Sequence, residues 1–381
     1  MAYEVSCDFP GGNVCDVVID DSQSPAVIEF SADPHGGPEA LWFCFRVTHS
    51  GKSGGDKLTL RLRHYLSLAY THADMTGSIR PVLRRLDSDW HRLGVGERLD
   101  YDDGRIDLQW TVDGPATRSW LEVAFCYPHG PADVQRLVSE CGGYWRADTI
   151  GVSAGGRPML RLSNQSGQIG SDRPGVYLLS HQHAGETSGG WALHGLLRGL
   201  AESGEKSAVV WAVPIADVDG VVQGDYGKDG YPYDLNRAWG HPPMRHETLV
   251  LQHDMRLWAQ RCKPTLALDS HSPGACEATG IYCYQHDPVT APRRHDLVKP
   301  WAEAFQQALQ PQYAAEDFAR VANYKSRWDS PTFTDFAGVE LDCAAIAFET
   351  SYALAGDLVL TREHYEDIGK RLAGVIAERL G

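Results

Sequence analysis

The first 130 residues alternate between short runs of hydrophobic positions and clusters of turn-forming residues. Residues 57–63 alternate apolar and polar side chains with period two, which is the pattern of a half-buried β-strand. Similar runs occur at 41–47, 106–112 and 120–125. Several short strands separated by Gly, Asp, Asn and Ser predict an N-terminal antiparallel β-sandwich domain over residues 1–130.

After about residue 131 the pattern changes to short apolar runs followed by helical periodicity. The apolar runs, typical of buried strands, are 175–179, 207–213, 265–269 and 344–348. The helical stretches are 133–142, 191–200, 247–261 and 362–380. This alternation predicts an α/β domain over 131–381, with a mixed, largely parallel sheet flanked by helices. Such domains carry their sites at the carboxyl ends of the strands.

Composition and charge narrow the classes of function. Hydrophobic residues make up 43% and charged residues 22% of the 381 residues, as in globular proteins, and no apolar run is long enough to span a membrane. A net charge of −15 argues against nucleic acid and anionic membranes as partners, because phosphate binding requires clustered Lys and Arg. Nine cysteines without repeated spacing, and an N-terminus without a signal-peptide pattern, favour a cytoplasmic protein with reduced thiols. The sequence does not indicate the oligomeric state.

Chemistry-bearing residues follow the first apolar run of the second domain. His183 and Glu186 lie three residues apart, directly after the run 175–179. An imidazole and a carboxylate at this spacing can bind one cation, and zinc suits a mixed set of nitrogen and oxygen ligands. The spacing is also common in solvated turns, which is an equal alternative. His181 and His194 are rival ligands, but His194 falls within a predicted helix, where a surface or packing role is favoured.

Two further strand ends supply candidates for the same site. His271 follows the run 265–269 and is a candidate third ligand, unless Ser270 is a capping residue and His271 is incidental. Glu349 follows the run 344–348, and a carboxylate in that position is either paired or poised for proton transfer. It could act as a general base on a metal-activated water, or it could cap the following turn.

The motif Asp234-Leu-Asn-Arg237 follows a loop rich in Gly, Asp, Tyr and Pro. Asn236 and Arg237 could bind a substrate carboxylate, because a guanidinium forms a forked, charge-assisted hydrogen bond with it. An ordinary surface ion pair between Arg and Asp is the simpler alternative.

These motifs resemble those of the M14 zinc carboxypeptidases, most closely of their cytosolic carboxypeptidase-like branch. The family order of His-x-x-Glu, Asp-Leu-Asn-Arg, Asp-x-His and a late Glu is present. The segments 11–13, 42–45, 79–82 and 124–128 look like the β-sandwich that precedes the catalytic domain in that branch. The resemblance implies one zinc ion per chain, held by His183, Glu186 and His271. It also implies that Glu349 is the general base and then the proton donor to the leaving amine.

The resemblance further implies how the substrate is held. Asn236 and Arg237 would bind the C-terminal carboxylate of a peptide, and Asp234 would orient His183 as an outer partner of the metal.

The chain departs from the family pattern at two substrate-binding positions. Gly227 stands where the family has an Arg that polarises the scissile carbonyl, and the adjacent Lys228 could supply the positive charge. Tyr324 is a candidate for the family's substrate-capping Tyr. The nearby basic residues, which would favour an acidic substrate side chain or form a solvated loop, are Arg320, Lys325 and Arg327.

The sequence therefore predicts a zinc metallocarboxypeptidase that removes the C-terminal residue of a peptide. Two alternatives stay open. The altered loop at Gly227 and Lys228 is also compatible with a zinc amidohydrolase that acts on a small N-acyl amino acid, with Arg237 binding its carboxylate. A binding module led by the sandwich is the third hypothesis, against which the complete ligand set and Glu349 argue.

Overall fold

The structure is a computed structural model that describes residues 2–51, 57–65, 75–230, 232–323 and 326–381. By its internal contacts the chain divides into two compact units. The first unit consists of Met1–Pro128, Gly220–Lys228 and Gly274–Glu277, and the second of His129–Asp219, Asp229–Pro273 and Ala278–Gly381. The division into domains 1–130 and 131–381 stays a prediction, because compactness alone does not show that either part folds independently.

Two five-stranded sheets make up the first unit. In spatial order the first sheet contains β1 (Tyr3–Ser6), β4 (Cys44–His49), β10 (Trp120–Ala124), β6 (Val82–Arg85) and β7 (His91–Arg92), all antiparallel. The second contains β2 (Cys15–Asp20), β3 (Ala26–Ser31), β5 (Lys57–Leu62), β9 (Ile106–Asp113) and β8 (Glu97–Asp100). Phe30 of β3 and Phe45 of β4 have ring centroids 4.7 Å apart, so the sheets enclose an aromatic core. Unlike the other pairs, β3 and β5 run parallel.

Strand β4 begins three residues later than the hydrophobic run 41–47 predicts. Leu41, Trp42 and Phe43 are nevertheless buried, at 4% exposure or less. The Trp42 indole Nε1 donates a hydrogen bond to the Gly11 carbonyl at 2.9 Å. These side chains are therefore apolar because they fill the core, and not because their backbone pairs in the sheet.

An eight-stranded sheet forms the centre of the second unit. In spatial order it contains β11 (Arg146–Val152), β12 (Pro158–Ser163), β14 (Val209–Val213), β13 (Pro174–Ser180), β15 (Lys263–His271), β18 (Ala344–Glu349), β16 (Ile281–Gln285) and β17 (Ala314–Val321). The pairs β13–β14, β13–β15, β15–β18 and β16–β17 are parallel, and the other three are antiparallel. This confirms the predicted mixed, largely parallel sheet. A short pair, β19 (Leu354–Ala355) and β20 (Leu358–Val359), lies outside it.

Helices accompany this sheet. The α-helices of the described residues are α1 (Pro131–Glu140), α2 (Thr187–Ser203), α3 (Val218–Gln223), α4 (His246–Ala259), α5 (Pro292–Leu309), α6 (Phe333–Glu340) and α7 (Arg362–Leu380), with a 3-10 turn at Leu235–Arg237. Helices α2 and α7 cross closely because glycines face the crossing. A Cβ on Gly195 would lie 2.1 Å from the Glu366 carbonyl oxygen, and one on Gly369 would lie 1.9 Å from that of Ala192. Among these helices, none has the length and apolar character needed to cross a membrane.

Three adjacent parallel strands prepare the site. β13, β15 and β18 are neighbours in the sheet, and their apolar residues are almost completely buried. Each strand ends in a polar residue, namely Ser180, His271 and Glu349. Since the carboxyl ends of parallel strands meet at one edge of a sheet, the polar residues that follow these runs converge there.

Candidate metal centre

His183 and Glu186 lie in the turn between β13 and α2. The Glu186 backbone N–H donates to the His183 carbonyl at 3.2 Å, and Glu186 is the residue that caps α2. His183 Nδ1 donates to Glu186 Oε1 at 2.9 Å. The Glu186 side chain is buried at the amino end of a helix, where the helix dipole stabilises a negative charge.

His271, at the end of β15, faces the same carboxylate from the other side. Its Nδ1 donates to Glu186 Oε2 at 2.7 Å, and the two imidazole centroids are 5.0 Å apart. The potential ligand atoms of His183, Glu186 and His271 all lie within 4.8 Å of one another. Among the described residues, no other group of three His, Cys, Asp or Glu residues is arranged to hold an ion.

Each imidazole turns its other nitrogen to a second carboxylate. His183 Nε2 donates to Asp234 Oδ1 at 3.2 Å, and His271 Nε2 donates to Asp269 Oδ2 at 2.5 Å. Such partners fix the ring orientation of metal-binding histidines. The contact of Asp234 supports its predicted orienting role. No role was predicted for Asp269, although a spacing of two along a strand puts it on the same face as His271.

Asp269 is itself held by a buried chain that the sequence does not reveal. Gln182 Nε2 donates to Asp269 Oδ2 at 2.5 Å, and the Trp239 indole Nε1 donates to Gln182 Oε1 at 2.7 Å. Gln182, Trp239 and Asp269 are each at most 1% exposed. The orientation of His271 is therefore fixed by residues from three separate segments of the chain.

The carboxylates decide the electrostatics of the site. Burial alone would lower the pKa of His183, but Glu186 and Asp234 outweigh it and raise that pKa to about 9. Burial opposes Asp269 and Glu186 in the same way at His271, whose pKa is raised well above its ordinary value. For Asp234, burial would raise the pKa, but His183 holds it at about 2. Three carboxylates around two imidazoles thus favour positive charge at this point.

Glu349 lies beside this group, at the end of the next strand. It is the register partner of His271, and such partners on adjacent parallel strands point to the same face of the sheet. The Thr350 backbone N–H donates to the His271 carbonyl at 2.9 Å, which extends this pairing beyond Glu349. The Glu349 side chain is buried at 9% exposure. Its role as a general base stays a prediction, with this position in its favour.

Asn236 and Arg237 lie in the 3-10 turn that Asp234 caps. The Asn236 backbone N–H donates to Asp234 Oδ1 at 2.7 Å, and Asn236 Nδ2 lies 3.1 Å from His271 Nε2. Arg237 is partly exposed, and its Nε donates to Ser326 Oγ at 3.1 Å. The turn therefore brings an amide next to the candidate metal-binding group of His183, Glu186 and His271, and a guanidinium one residue further on.

The remaining substrate-binding candidates stay predictions. Lys228 belongs to the first unit, with its Nζ 5.9 Å from the centroid of the Tyr226 ring. Tyr324 and Lys325 lie outside the described residues. The two other basic residues of that region already have acidic partners: Arg320 contacts Asp317 at 2.7 Å, and Arg327 contacts Asp229 at 3.1 Å. These pairs weaken the expectation of an acidic substrate side chain.

The rival ligands His181 and His194 lie outside the metal-binding group. Both are buried, at 0% and 2% exposure, so the surface position considered for His194 is wrong and the packing position is correct. Both contact His129, which is also buried. The rings of His129 and His181 are stacked, with their centroids 5.1 Å apart. No local pattern indicates this second cluster, because His129 lies more than 50 residues before its partners.

The chain is similar in sequence to known carboxypeptidases. No protein-family model matches it. Cytosolic carboxypeptidase 2 of Xenopus tropicalis is 25% identical over 227 residues, which are 52% of this chain and 23% of that protein. The alignment therefore spans about a quarter of that relative's length.

Two solved structures share the fold over almost the whole chain. A metallo-carboxypeptidase from Burkholderia cenocepacia aligns with a TM-score of 0.75 and 18% identity, covering 99% of this chain and 98% of that one. A metallo-carboxypeptidase from Pseudomonas aeruginosa in complex with (2-guanidinoethylmercapto)succinic acid aligns with a TM-score of 0.73 and 19% identity, covering 99% and 100%. Sequence relatives and shared fold agree with the motif order along the chain, which is similar to that of the M14 carboxypeptidases of the cytosolic carboxypeptidase-like branch.

Proposed function

We propose that this protein is a zinc-dependent metallocarboxypeptidase that hydrolyses the C-terminal peptide bond of a peptide with a free carboxylate. One observation carries the proposal. Two imidazoles and a carboxylate from separate segments converge within 4.8 Å, and a buried Glu349 lies in register with one of them. The names of the sequence relatives support the same activity.

The donor set fits one zinc ion. His183 Nδ1, His271 Nδ1 and the Glu186 carboxylate give two nitrogens and one oxygen function, and three protein ligands are what a catalytic zinc site requires. The outer carboxylates Asp234 and Asp269 hold both rings with Nδ1 towards Glu186. When bound, zinc supplies a Lewis acid that polarises a carbonyl and acidifies water.

The chain's own residues perform the proton transfers. Glu349 accepts a proton from the attacking water and then donates it to the nitrogen of the leaving amine. Glu349 lies on the strand next to that of the proposed ligand His271 and in register with it. General acid–base catalysis by a positioned carboxylate requires it within hydrogen-bonding reach of the reacting groups, and the register pairing of Glu349 with His271 supports this role.

The C-terminal carboxylate of the substrate is bound by Asn236 and Arg237. The partly exposed guanidinium of Arg237 follows directly after Asn236, whose amide lies 3.1 Å from His271. A forked, charge-assisted pair with Arg237 would align the terminal residue with the metal. The Pseudomonas aeruginosa protein of the same fold binds a substituted succinic acid, a compound with free carboxylates. Lys228 and Tyr324 remain proposed additional contacts to the substrate.

A cytoplasmic location belongs to the same proposal. The relative from Xenopus tropicalis is named a cytosolic carboxypeptidase, and the nine cysteines form no disulfide in the described parts of the chain. Free thiols are usual in reducing compartments.

Substrate profiling tests the proposal. The zinc-loaded protein is incubated with peptides of varied C-terminal residue, with the same peptides amidated at the C-terminus, and with N-acyl amino acids. Release of single C-terminal residues from the free-acid peptides, detected by mass spectrometry, is the expected result. The amidated peptides resist cleavage, because Arg237 has no carboxylate to bind.

Two outcomes contradict the proposal. Cleavage of N-acyl amino acids alone would make the protein an amidohydrolase. If the zinc-loaded protein hydrolyses neither substrate class, the catalytic assignment is wrong.

A further inference from the structure

A second chain of histidines lies within the unit that holds the metal-binding group. His129 Nδ1 lies 3.0 Å from His181 Nε2, and His129 Nε2 lies 3.4 Å from His194 Nδ1. All three side chains are at most 4% exposed. The metal-binding group and the proposed reaction use none of them.

Both ends of this chain impose the same hydrogen-bond direction. His181 Nδ1 lies 3.0 Å from the Ala184 carbonyl oxygen, which only accepts, so Nδ1 carries the proton. At the other end the Arg198 guanidinium, which only donates, lies 3.3 Å from His194 Nε2. With one proton on each neutral ring, the bonds run from Arg198 through His194, His129 and His181 to Ala184. At every contact in this series, a donor faces an acceptor.

The surroundings keep the rings neutral. Burial lowers the pKa of His129 well below its ordinary value, and the neighbouring imidazoles add to this effect. Burial also lowers the pKa of His194, to about 3, with the positive charge of Arg198 acting in the same direction. A neutral imidazole offers one donor and one acceptor, which is what a chain with a single direction requires.

Helix α2 leaves space for the chain. A Cβ on Gly190 would lie 2.1 Å from His181 Nε2 and 2.9 Å from His129 Nδ1. Glycine is disfavoured inside helices, so this position has a packing reason. His181 also has a φ of 53°, a left-handed conformation that is uncommon for residues other than glycine. The hydrogen bonds at both ring nitrogens stabilise that conformation.

We propose that His129, His181 and His194 are positioning residues that hold the metal-binding turn in one arrangement. His181 and Ala184 flank His183 in sequence, and the bond between His181 Nδ1 and the Ala184 carbonyl closes the backbone around this ligand. The outer end of the chain is fixed because Arg198 forms ion pairs with Glu140 of α1 at 2.7 Å and Glu366 of α7 at 3.3 Å.

This inference rests on the proposed function only in requiring that the turn binds zinc. Its mechanism is pre-organisation: a turn already fixed in the metal-free protein loses less freedom when it binds the ion. The three histidines therefore contribute to metal affinity without contacting the metal.

Zinc affinity of matched variants tests the proposal. His129→Leu removes both hydrogen bonds, whereas His129→Gln retains an amide donor and an acceptor oxygen. Competition with a chromophoric chelator should show zinc binding weakened in the Leu variant by up to about 10-fold, less than the loss of a partner bonded directly to a metal ligand usually causes. The Gln variant should recover most of this loss. His253→Leu, at an exposed position of α4, is the control and should match the wild type.

The outcomes separate this inference from the proposed function. If the wild type binds no zinc, both fail. If the wild type and His129→Leu bind zinc equally, while thermal unfolding shows the Leu variant destabilised, the histidines only support folding and this inference alone is wrong.

A measurement on the wild type covers the case in which His129→Leu does not fold. Side-chain 15N NMR distinguishes the two neutral tautomers of each imidazole. We expect the proton on Nδ1 in His129, His181 and His194, in both the metal-free and the zinc-loaded protein. A proton on Nε2 of any of them breaks the single direction of the chain and overturns the proposal.

Discussion

Two buried histidine clusters in the same unit have opposite electrostatics. His183 and His271 each contact two carboxylates, and their pKa values are raised although burial acts to lower them. His129 and His194 contact other imidazoles and an arginine, and their pKa values are lowered. All four residues are at most 8% exposed, so burial does not explain the difference.

The partners decide the chemistry of each cluster. Carboxylates on both sides of an imidazole create a place that favours positive charge, which is what a metal site requires. Imidazoles bonded to each other remain neutral and transmit only orientation. The distinction is sharp along the chain, since His181 and His183 are separated by one residue and belong to different clusters.

Removing a proposed metal ligand should show the largest difference between the two clusters. His271→Ala eliminates one of three protein ligands and leaves Glu186 with a single imidazole partner. Zinc content measured by elemental analysis should fall from one ion per chain to nearly none, with complete loss of peptide hydrolysis. His129→Ala removes a histidine of the other cluster and should retain measurable zinc at saturating concentration. Unchanged zinc in His271→Ala would refute its role as a ligand.

Substituting the proposed general base should separate chemistry from metal binding. Glu349→Gln keeps the size of the side chain but removes its capacity to accept a proton. We expect kcat to fall about 100- to 10,000-fold, the usual contribution of general acid–base catalysis, with zinc content unchanged. Retained turnover would exclude Glu349 from the mechanism. Steady-state kinetics on a cleavable peptide, together with zinc analysis, provide the measurement.

Removing the negative charge of one outer carboxylate should make the electrostatics around His183 and His271 more like those of the neutral histidine cluster. Asp269→Asn retains a hydrogen-bonding group for His271 but removes the negative charge. Zinc affinity should fall about 10- to 100-fold in chelator competition. Asp254→Asn is the matched control, because Asp254 is equally buried but contacts Arg161 and Tyr177. An equal loss of affinity in both variants would show a general effect of burying an amide.

Acidification should lower the stability of the protein through His194 of the neutral cluster. This effect is smaller than those of the three substitutions above. The folded-state pKa of His194, about 3, lies below its unfolded value, so between pH 6.5 and about 3 the unfolded chain binds a proton that the native protein does not. Stability is therefore lost as pH falls through this range, by up to about 2 kcal/mol at pH 5.

His194→Gln lacks this titration. The difference in free energy of unfolding between wild type and variant, from urea titrations at pH 7.5 and pH 5, should shrink at the lower pH. A constant difference would show that His194 does not titrate in this way.

The core strands of the central sheet and the convergence of the candidate metal ligands were predictable because both have strong local signals. The run 344–348 became β18 (Ala344–Glu349), and the periodicity over 362–380 became α7 with the same bounds. Both the buried strands and the polar residues after them are visible in a single segment of sequence. Strands β11, β12, β16 and β17 were missed. β11 and β17 lie at the two edges of the sheet, and all four strands contain partly exposed residues that obscure the hydrophobic pattern.

The outer contacts were not predictable for a different reason. Gln182, Trp239 and Asp269 come together from three segments, and His129 meets His181 across 52 positions. No periodicity links such residues, since their proximity exists only in the folded sheet. Asp269 alone left a usable signal, because alternate residues of a strand share a face.

The pairing of β15 with β18 sets His271 opposite Glu349. Their separation is thus a property of the sheet ladder, about 4.8 Å from strand to strand. The 272–343 stretch that joins them in sequence does not determine it. Insertions in the exposed turns of that stretch could change which molecules are recognised, while the spacing between His271 and Glu349 stays constant. Under the proposed function, substrate selectivity and bond cleavage can therefore diverge separately as the gene evolves.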